Sequence, residues 1–424
     1  GHVFRSDTDT EVLSHLIEEY YNGNLVETVQ QVSKKIVGSY AAVVLSLDEP
    51  DQLVAIRCDS PLIVGLGNGE NFLASDIPAL LAYTRRTYIL EDGEITVLTR
   101  DRVQVLDQAG RPVEKKVFTV NWEASQAEKN GYDHFMLKEI YEQSRAIKDT
   151  LSGRLAADNS RVVLNEINAL EKQLRETEKI FIAACGTAYH AGLVGKHIIE
   201  SQARIPVEVD IASEFRYRKP LLEKNTLVIV ISQSGETADT LAVLREAKHQ
   251  GVPVLAVTNV VGSSVAREAD SVIYTLAGPE IAVASTKAYT TQLVSMYLLA
   301  LYLAQQRRTM NADQITEIIC GLRELPDKVN AVLKNDSYIK TLVQKYGDCN
   351  RVFFIGRGLD HAVAKEGALK LKEISYLHAE AYAAGELKYG TMALITKKVP
   401  VIALATQPAL FESMLSDIKK VKAR

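Results

Sequence analysis

An α/β fold is what this 424-residue sequence predicts: a front region of antiparallel strands, then two doubly wound parallel-sheet units, the second cut short at Arg424. Three observations carry the prediction. Leu227, Val228, Ile229, Val230 and Ile231 form an unbroken apolar run of strand length, as expected where both faces of a strand are buried. From Lys179 onward such runs alternate with helical patterns, the signature of a parallel sheet with crossover helices on both faces. Residues 180–187 are echoed by 352–359, each a strand, a glycine turn and a helix start, and 401–405 echo the strand that leads to Ser232.

The bulk properties agree. A chain of this length exceeds one ordinary core and predicts two or three domains. With 47% hydrophobic and 24% charged residues it has a globular composition, and a net charge of −4 argues against a nucleic-acid surface. The longest apolar stretch, 293–304, is too short to span a bilayer and reads as a buried helix, so no membrane partner is expected. Cys58, Cys185, Cys320 and Cys349 show neither disulfide nor metal-ligand spacing, and no metal site is expected. There is no signal-peptide pattern, which points to the cytoplasm. The start at Gly1 and the stop inside a helical pattern suggest an internal fragment of a longer chain.

In chain order, 11–21 reads as an amphipathic helix with Val12, Leu13, Leu16 and Ile17 inward. Asp7 and Asp9 precede it and read most simply as caps. Strand patterns follow at 40–47, 53–57, 62–65, 72–74 and 87–98, separated by Gly-Asn and Asp-Gly turns, as in an antiparallel sheet. The pattern weakens over 101–132, where a linker is placed near 121–131 with Trp122 in a packing role. A helix spans 135–151, and parallel strands are expected at 180–184, 207–209, 226–231, 254–258 and 271–275.

The turn after 227–231 is the first candidate site. A helix start there aims free N–H groups and the positive end of its dipole at the carboxyl end of a strand. Ser232, Ser234 and Thr237 add hydroxyl donors without charge and read as a grip on a sugar phosphate; the alternative is that Ser234 or Thr237 only caps the helix. The counterpart at 405–409 has few hydroxyls and makes a poor cradle, so only the first copy should hold a phosphate. The Cys185-Gly186-Thr187-Ala188 turn should lie beside the loop, with Cys185 a small buried side chain rather than a nucleophile. The hydroxyls of 283–287 either bind sugar or cap the long apolar helix. In the helix expected over 361–376, Glu366, Lys370 and Glu373 share one face. That face is either exposed and ion-paired or looks into a cleft, where a carboxylate can move a proton between sugar carbons and a lysine can steady an oxyanion. His378, Glu380, Glu386, Lys388 and Tyr389 fall in a loop-like stretch around Gly385.

The strings SDTDTEV, GYDHFMLKEIYEQ, CGTAYHAG, ASEFRYRKP, SQSGETADTL, NVVGSS, PEIAVASTKAYTTQL and EGALKLKEISYLHAEAYAAGELKYG give the chain a family likeness. In content and order it resembles the glutamine–fructose-6-phosphate aminotransferases (isomerising), or glucosamine-6-phosphate synthases. The resemblance implies that residues 1–120 are the C-terminal part of an N-terminal-nucleophile glutaminase domain (α+β) and that 121–150 are a linker and leading helix. It further implies a first SIS sugar-phosphate domain over 151–330 and a second, incomplete one over 331–424. The implied reaction channels ammonia from glutamine to fructose 6-phosphate, giving glucosamine 6-phosphate and glutamate, the first step of hexosamine synthesis. It needs no metal or organic cofactor and runs in a homodimer with a shared active site. Position by position, Ser232, Gln233, Ser234 and Thr237 resemble the family's phosphate loop, and Thr187, Val283 and Ser285 its sugar contacts. Glu373 resembles the isomerisation base, Lys370 the group that polarises the substrate, and Asp9 the carboxylate that holds the amino group of glutamine.

Four departures accompany the likeness. The family's N-terminal catalytic cysteine would precede Gly1, and its imine-forming lysine would follow Arg424. Ala188 stands where the family has serine, and Tyr389 where it has the histidine that opens the sugar ring. A phenol is a poorer proton shuttle at neutral pH than an imidazole. This stretch alone is therefore expected to be inactive. Two rivals remain open: an SIS-type isomerase or deaminase that does not use glutamine, and a sugar-phosphate-binding regulator without turnover.

Overall fold

The computed structural model describes residues 1–120, 122, 126 and 128–424. The chain divides into two units, Gly1–Glu128 and Lys129–Arg424. The expected linker over 121–131 lies partly outside the described residues; Trp122, within it, is partly buried.

In the first unit, helices α1 (Glu11–Tyr20) and α2 (Leu25–Ser33) precede nine strands among the described residues. These are β1 (Tyr40–Val44), β2 (Leu53–Cys58), β3 (Ile63–Leu66), β4 (Asn71–Ala74), β5 (Arg86–Ile89), β6 (Ile95–Leu98), β7 (Val103–Leu106), β8 (Pro112–Val113) and β9 (Phe118–Thr119). They form two antiparallel sheets, β1-β2-β6-β7-β8 and β4-β3-β5-β9, rather than one. The alternation along β2 sorts its side chains between two cores. Val54 and Ile56 pack with Leu25 and Val29 of α2, while Ala55 packs with Leu62, Val64 and Leu90 on the other face. The run read as one strand over 87–98 breaks at Gly93, whose φ is +81°, into β5 and β6 of different sheets. The weak stretch after 101 holds β7, β8 and β9, pieces too short to show alternation.

Two readings at the N-terminus are corrected. Val12 is exposed, not inward. Neither Asp7 nor Asp9 caps α1; instead Glu11 reaches back to the Ser6 hydroxyl and accepts the Arg5 and Ser6 N–H groups at 2.7 Å each. The Ser6 hydroxyl, then the Arg5 N–H, hold the Glu11 carboxyl at about 2, well below its ordinary range.

The second unit begins with α3 (Phe135–Leu151) and α4 (Glu171–Glu176), then alternates β10 (Lys179–Ala184), α5 (Gly186–Gln202), β11 (Val207–Ile211), α6 (Ala212–Tyr217), β12 (Thr226–Ser232), α7 (Ala238–His249), β13 (Val254–Thr258), α8 (Ser264–Glu268) and β14 (Ser271–Tyr274). Helices α9 (Lys287–Arg307), α10 (Ala312–Leu333) and α11 (Asp336–Tyr346) lead to β15 (Arg351–Gly356), α12 (Leu359–Ser375), β16 (His378–Ala383), β17 (Val401–Ala403) and α13 (Phe411–Lys422). The first sheet runs β11-β10-β12-β13-β14, all parallel, and the second runs β16-β15-β17, also parallel. In each sheet the chain leaves its first strand for one neighbour and then returns to the other side. A crevice opens where that order reverses, above the carboxyl ends of β10 and β12. The stretch read as a loop around Gly385 begins instead with β16, which carries His378 and Glu380.

All seven residues of β12 are buried. Leu227, Ile229 and Ile231 pack with α9 residues such as Leu299 and Leu301, and Val228 and Val230 with Leu241 and Leu244 of α7. Helix α9 is enclosed by apolar neighbours along most of its length, and among the described residues no helix is long and apolar enough to cross a membrane.

Candidate functional site

The turn from Ser232 to Thr237 is built around Gly235. Its φ is +68°, and a Cβ placed there would lie 2.1 Å from Ser263 Oγ and 2.9 Å from Thr258 Oγ1, so only glycine fits. The Gly235 N–H donates to Ser232 Oγ at 2.9 Å, which folds the turn back over the strand end. Ser232 Oγ also lies 3.1 Å from Thr237 Oγ1. Thr237 occupies the N-cap position of α7, yet its hydroxyl caps no helix N–H, and Ser234 Oγ accepts only from Glu236 N at 3.2 Å. These hydroxyls are therefore not consumed by capping the helix.

Beside this turn lies a cleft of about 210 Å³ at the point where the strand order reverses. Thr187 and Ala188 line it from the start of α5, and Ser232, Gln233, Ser234 and Thr237 from the turn. Val283 and Ser285 contribute from the loop before α9, Gln292 from α9 itself, and Glu373 from α12. Cys185 also lines it; burial, with Asp239 nearby, pushes its thiol above the ordinary value, which keeps it protonated.

The 281–286 loop is fastened at both ends. Glu139 of α3 accepts the Ile281 and Ala282 N–H groups at 2.7 and 3.2 Å, and burial raises its carboxyl above the ordinary range. Glu280 accepts from Thr286 N, Ala288 N and the Ser285 hydroxyl, all within 3.1 Å. Glu280 thus caps α9, so that of the two readings of the loop hydroxyls, sugar binding or capping, the cap is taken by a carboxylate instead. Val283 stands fully exposed at the lip. Below, the buried Lys287 ammonium meets Glu142 at 2.6 Å and ties α9 to α3.

Glu366, Lys370 and Glu373 share one face of α12, and that face meets α5. Lys370 Nζ lies 2.5 Å from Glu373 Oε2, 3.4 Å from Glu366 Oε1 and 3.0 Å from the Thr187 hydroxyl. Thr187 also donates to Glu366 at 3.0 Å. Two groups here escaped sequence reasoning. His190 Nδ1 is 2.7 Å from Glu366 Oε2, and Gln292 is buried with its Oε1 unpartnered. Neither belongs to a spacing motif; each joins the site only because α5, α9 and α12 converge. Tyr289 is half-buried with its hydroxyl enclosed, and burial, with the Glu366 carboxylate, raises its phenol far above the ordinary value.

Two candidates are not among these residues. Tyr389 is exposed outside the lining of the cleft, with Lys388 Nζ 4.8 Å over its ring. Asp9 is exposed in the first unit. Chemically, the site joins an uncharged cradle of hydroxyl and N–H groups, suited to a phosphate, to a carboxylate–ammonium pair at its mouth, suited to proton transfer.

Residues 173–302 and 345–424 match the SIS domain family. Over all 424 residues the chain is 60% identical to a glutamine–fructose-6-phosphate aminotransferase (isomerizing) of Caldanaerobacter subterraneus subsp. tengcongensis, and it covers 70% of that protein. A protein of the same name from Clostridium tetani is 57% identical at the same coverage. Among solved structures, the C-terminal domain of glucosamine-fructose-6-phosphate aminotransferase from Francisella tularensis is 44% identical. It aligns with 70% of this chain and 83% of its own, at a TM-score of 0.68. A glucosamine-6-phosphate deaminase from Thermotoga maritima, 23% identical, aligns with 68% of this chain and 82% of its own at a TM-score of 0.54 and shares the fold.

Proposed function

The chain belongs to the glutamine–fructose-6-phosphate aminotransferase (isomerizing) family, and on that premise we propose how its residues divide the making of glucosamine 6-phosphate from fructose 6-phosphate and glutamine. Ser232, Gln233, Ser234 and Thr237 take the phosphate at the start of α7, where helix N–H groups add to the hydroxyls. Thr187 and Ser285 contact the sugar, and Val283 closes over it from the lip. Glu373 is the base that moves a proton between the first two carbons, and Lys370 stabilises the oxygen that gains charge. Tyr389 holds the position from which the ring is opened. Asp9 binds the amino group of glutamine within a glutaminase-type domain over 1–120. SIS domains extend over 151–330 and 331–424, the protein works as a cytoplasmic homodimer, and neither nucleic acid nor a membrane takes part.

One observation carries this reading: a single cleft is lined both by the hydroxyl turn after β12 and by Glu373 from the other sheet's helix. The test is an assay of the intact protein with fructose 6-phosphate and glutamine, alongside calorimetry with fructose 6-phosphate. Glucosamine 6-phosphate and a binding heat are expected; neither product nor heat overturns the reading.

A further inference from the structure

His190 lies in the second turn of α5, and its side chain is 13% exposed beside a Glu366 side chain that is 6% exposed. An ionised carboxylate only accepts, so the Nδ1 atom 2.7 Å from Glu366 Oε2 carries the proton. The other carboxylate oxygen takes the Thr187 hydroxyl at 3.0 Å. Lys370 stands between two carboxylates on its own helix, Glu366 one turn before and Glu373 one turn after, and it sits 2.5 Å from Glu373 against 3.4 Å from Glu366. A buried carboxylate with an unpaired oxygen draws the nearest cation, because desolvated charge must be compensated.

We propose that His190 is a positioning residue: by saturating Glu366 it leaves Lys370 on Glu373 and Thr187 at the mouth of the cleft. Without that hydrogen bond, Glu366 draws the Lys370 ammonium onto itself and away from Glu373. This inference rests on the reading that Glu373 and Lys370 act on fructose 6-phosphate. His190 is not among the residues that line the cleft, so the effect belongs to turnover and not to binding.

The experiment compares intact wild type with His190→Asn, His190→Gln and His190→Leu, measuring kcat, KM for fructose 6-phosphate and the thermal midpoint. The amide nitrogen of asparagine falls close to where imidazole Nδ1 lies, whereas that of glutamine lies farther out. His190→Asn should keep kcat within about threefold, while His190→Gln and His190→Leu lower it about tenfold, with KM within about twofold throughout. Equal kcat for the Asn and Gln variants overturns the inference, as does a Leu variant altered only in midpoint or KM. The Asn–Gln comparison stands even if the Leu variant does not fold. No product from the wild type overturns the functional reading and this inference together; an active wild type with unaffected variants overturns this inference alone.

Discussion

The two parallel-sheet units of this chain carry a turn at equivalent strand ends, after β12 and after β17, and use it in opposite ways. In the first, β12 leads into a hydroxyl turn that faces Ala188 across a cleft. In the second, Ala403 pairs with Ile355 as Val230 pairs with Ala183. Ala405, Thr406 and Gln407 therefore take the places of Ser232, Gln233 and Ser234, and Asp360 that of Ala188. Asp360 is buried, and its carboxylate accepts the Thr406 N–H at 2.8 Å and the Thr406 hydroxyl at 2.5 Å. The second turn is thus filled by an anion of its own. The residue opposite decides whether a strand-end cradle stays open or is filled by a carboxylate of its own, and the unit that has closed its cradle supplies Glu373 of α12 to the lining of the other's cleft.

The sharpest way to break this division of labour is Glu373→Gln, which removes the proposed base and leaves the residues of the turn unchanged. It should lower kcat about 1,000-fold with KM for fructose 6-phosphate within about twofold, in steady-state assays of the intact protein. Transplanting the plug comes next: Ala188→Asp sets a carboxylate where the phosphate would sit, and should weaken fructose 6-phosphate binding about 100-fold by calorimetry. An unchanged affinity would show that the two turns are not equivalent. The reverse change, Asp360→Ala, should cost about 2 kcal/mol of stability in urea titration, through loss of the bonds to Thr406, with KM unaltered. The smallest effect belongs to Tyr389→His, expected to raise kcat about threefold; no rise would take Tyr389 out of ring opening.

Much of the fold could be read in advance because buried parallel strands are written as continuous apolar runs. The predicted 254–258 coincides with β13, and the predicted 135–151 with α3. The front region was read less well. Its strands are two to six residues long, and β5 and β6 lie one turn apart in sequence but in different sheets. The turn residues Ser232 to Thr237 were legible because their chemistry is local: a strand end, a glycine, hydroxyls and a helix start. Glu280 as the cap of α9, and His190 as the partner of Glu366, carry no such local mark.

By itself the amino-acid order determined the main strands and helices of the first parallel-sheet unit, that one α/β pattern occurs twice, and which turn is rich in neutral donors. These are short-range properties, set by apolar periodicity and by side chains within a few residues of one another. Only the tertiary structure decided that Lys370 leans on Glu373 while Thr187 and His190 saturate Glu366, and that Asp360 fills the second turn. The pairings of Thr187 and His190 with Glu366, and of Asp360 with Thr406, span 46 to 179 residues of chain, and burial, which makes each of them matter, is a property of the packed molecule and of no single stretch.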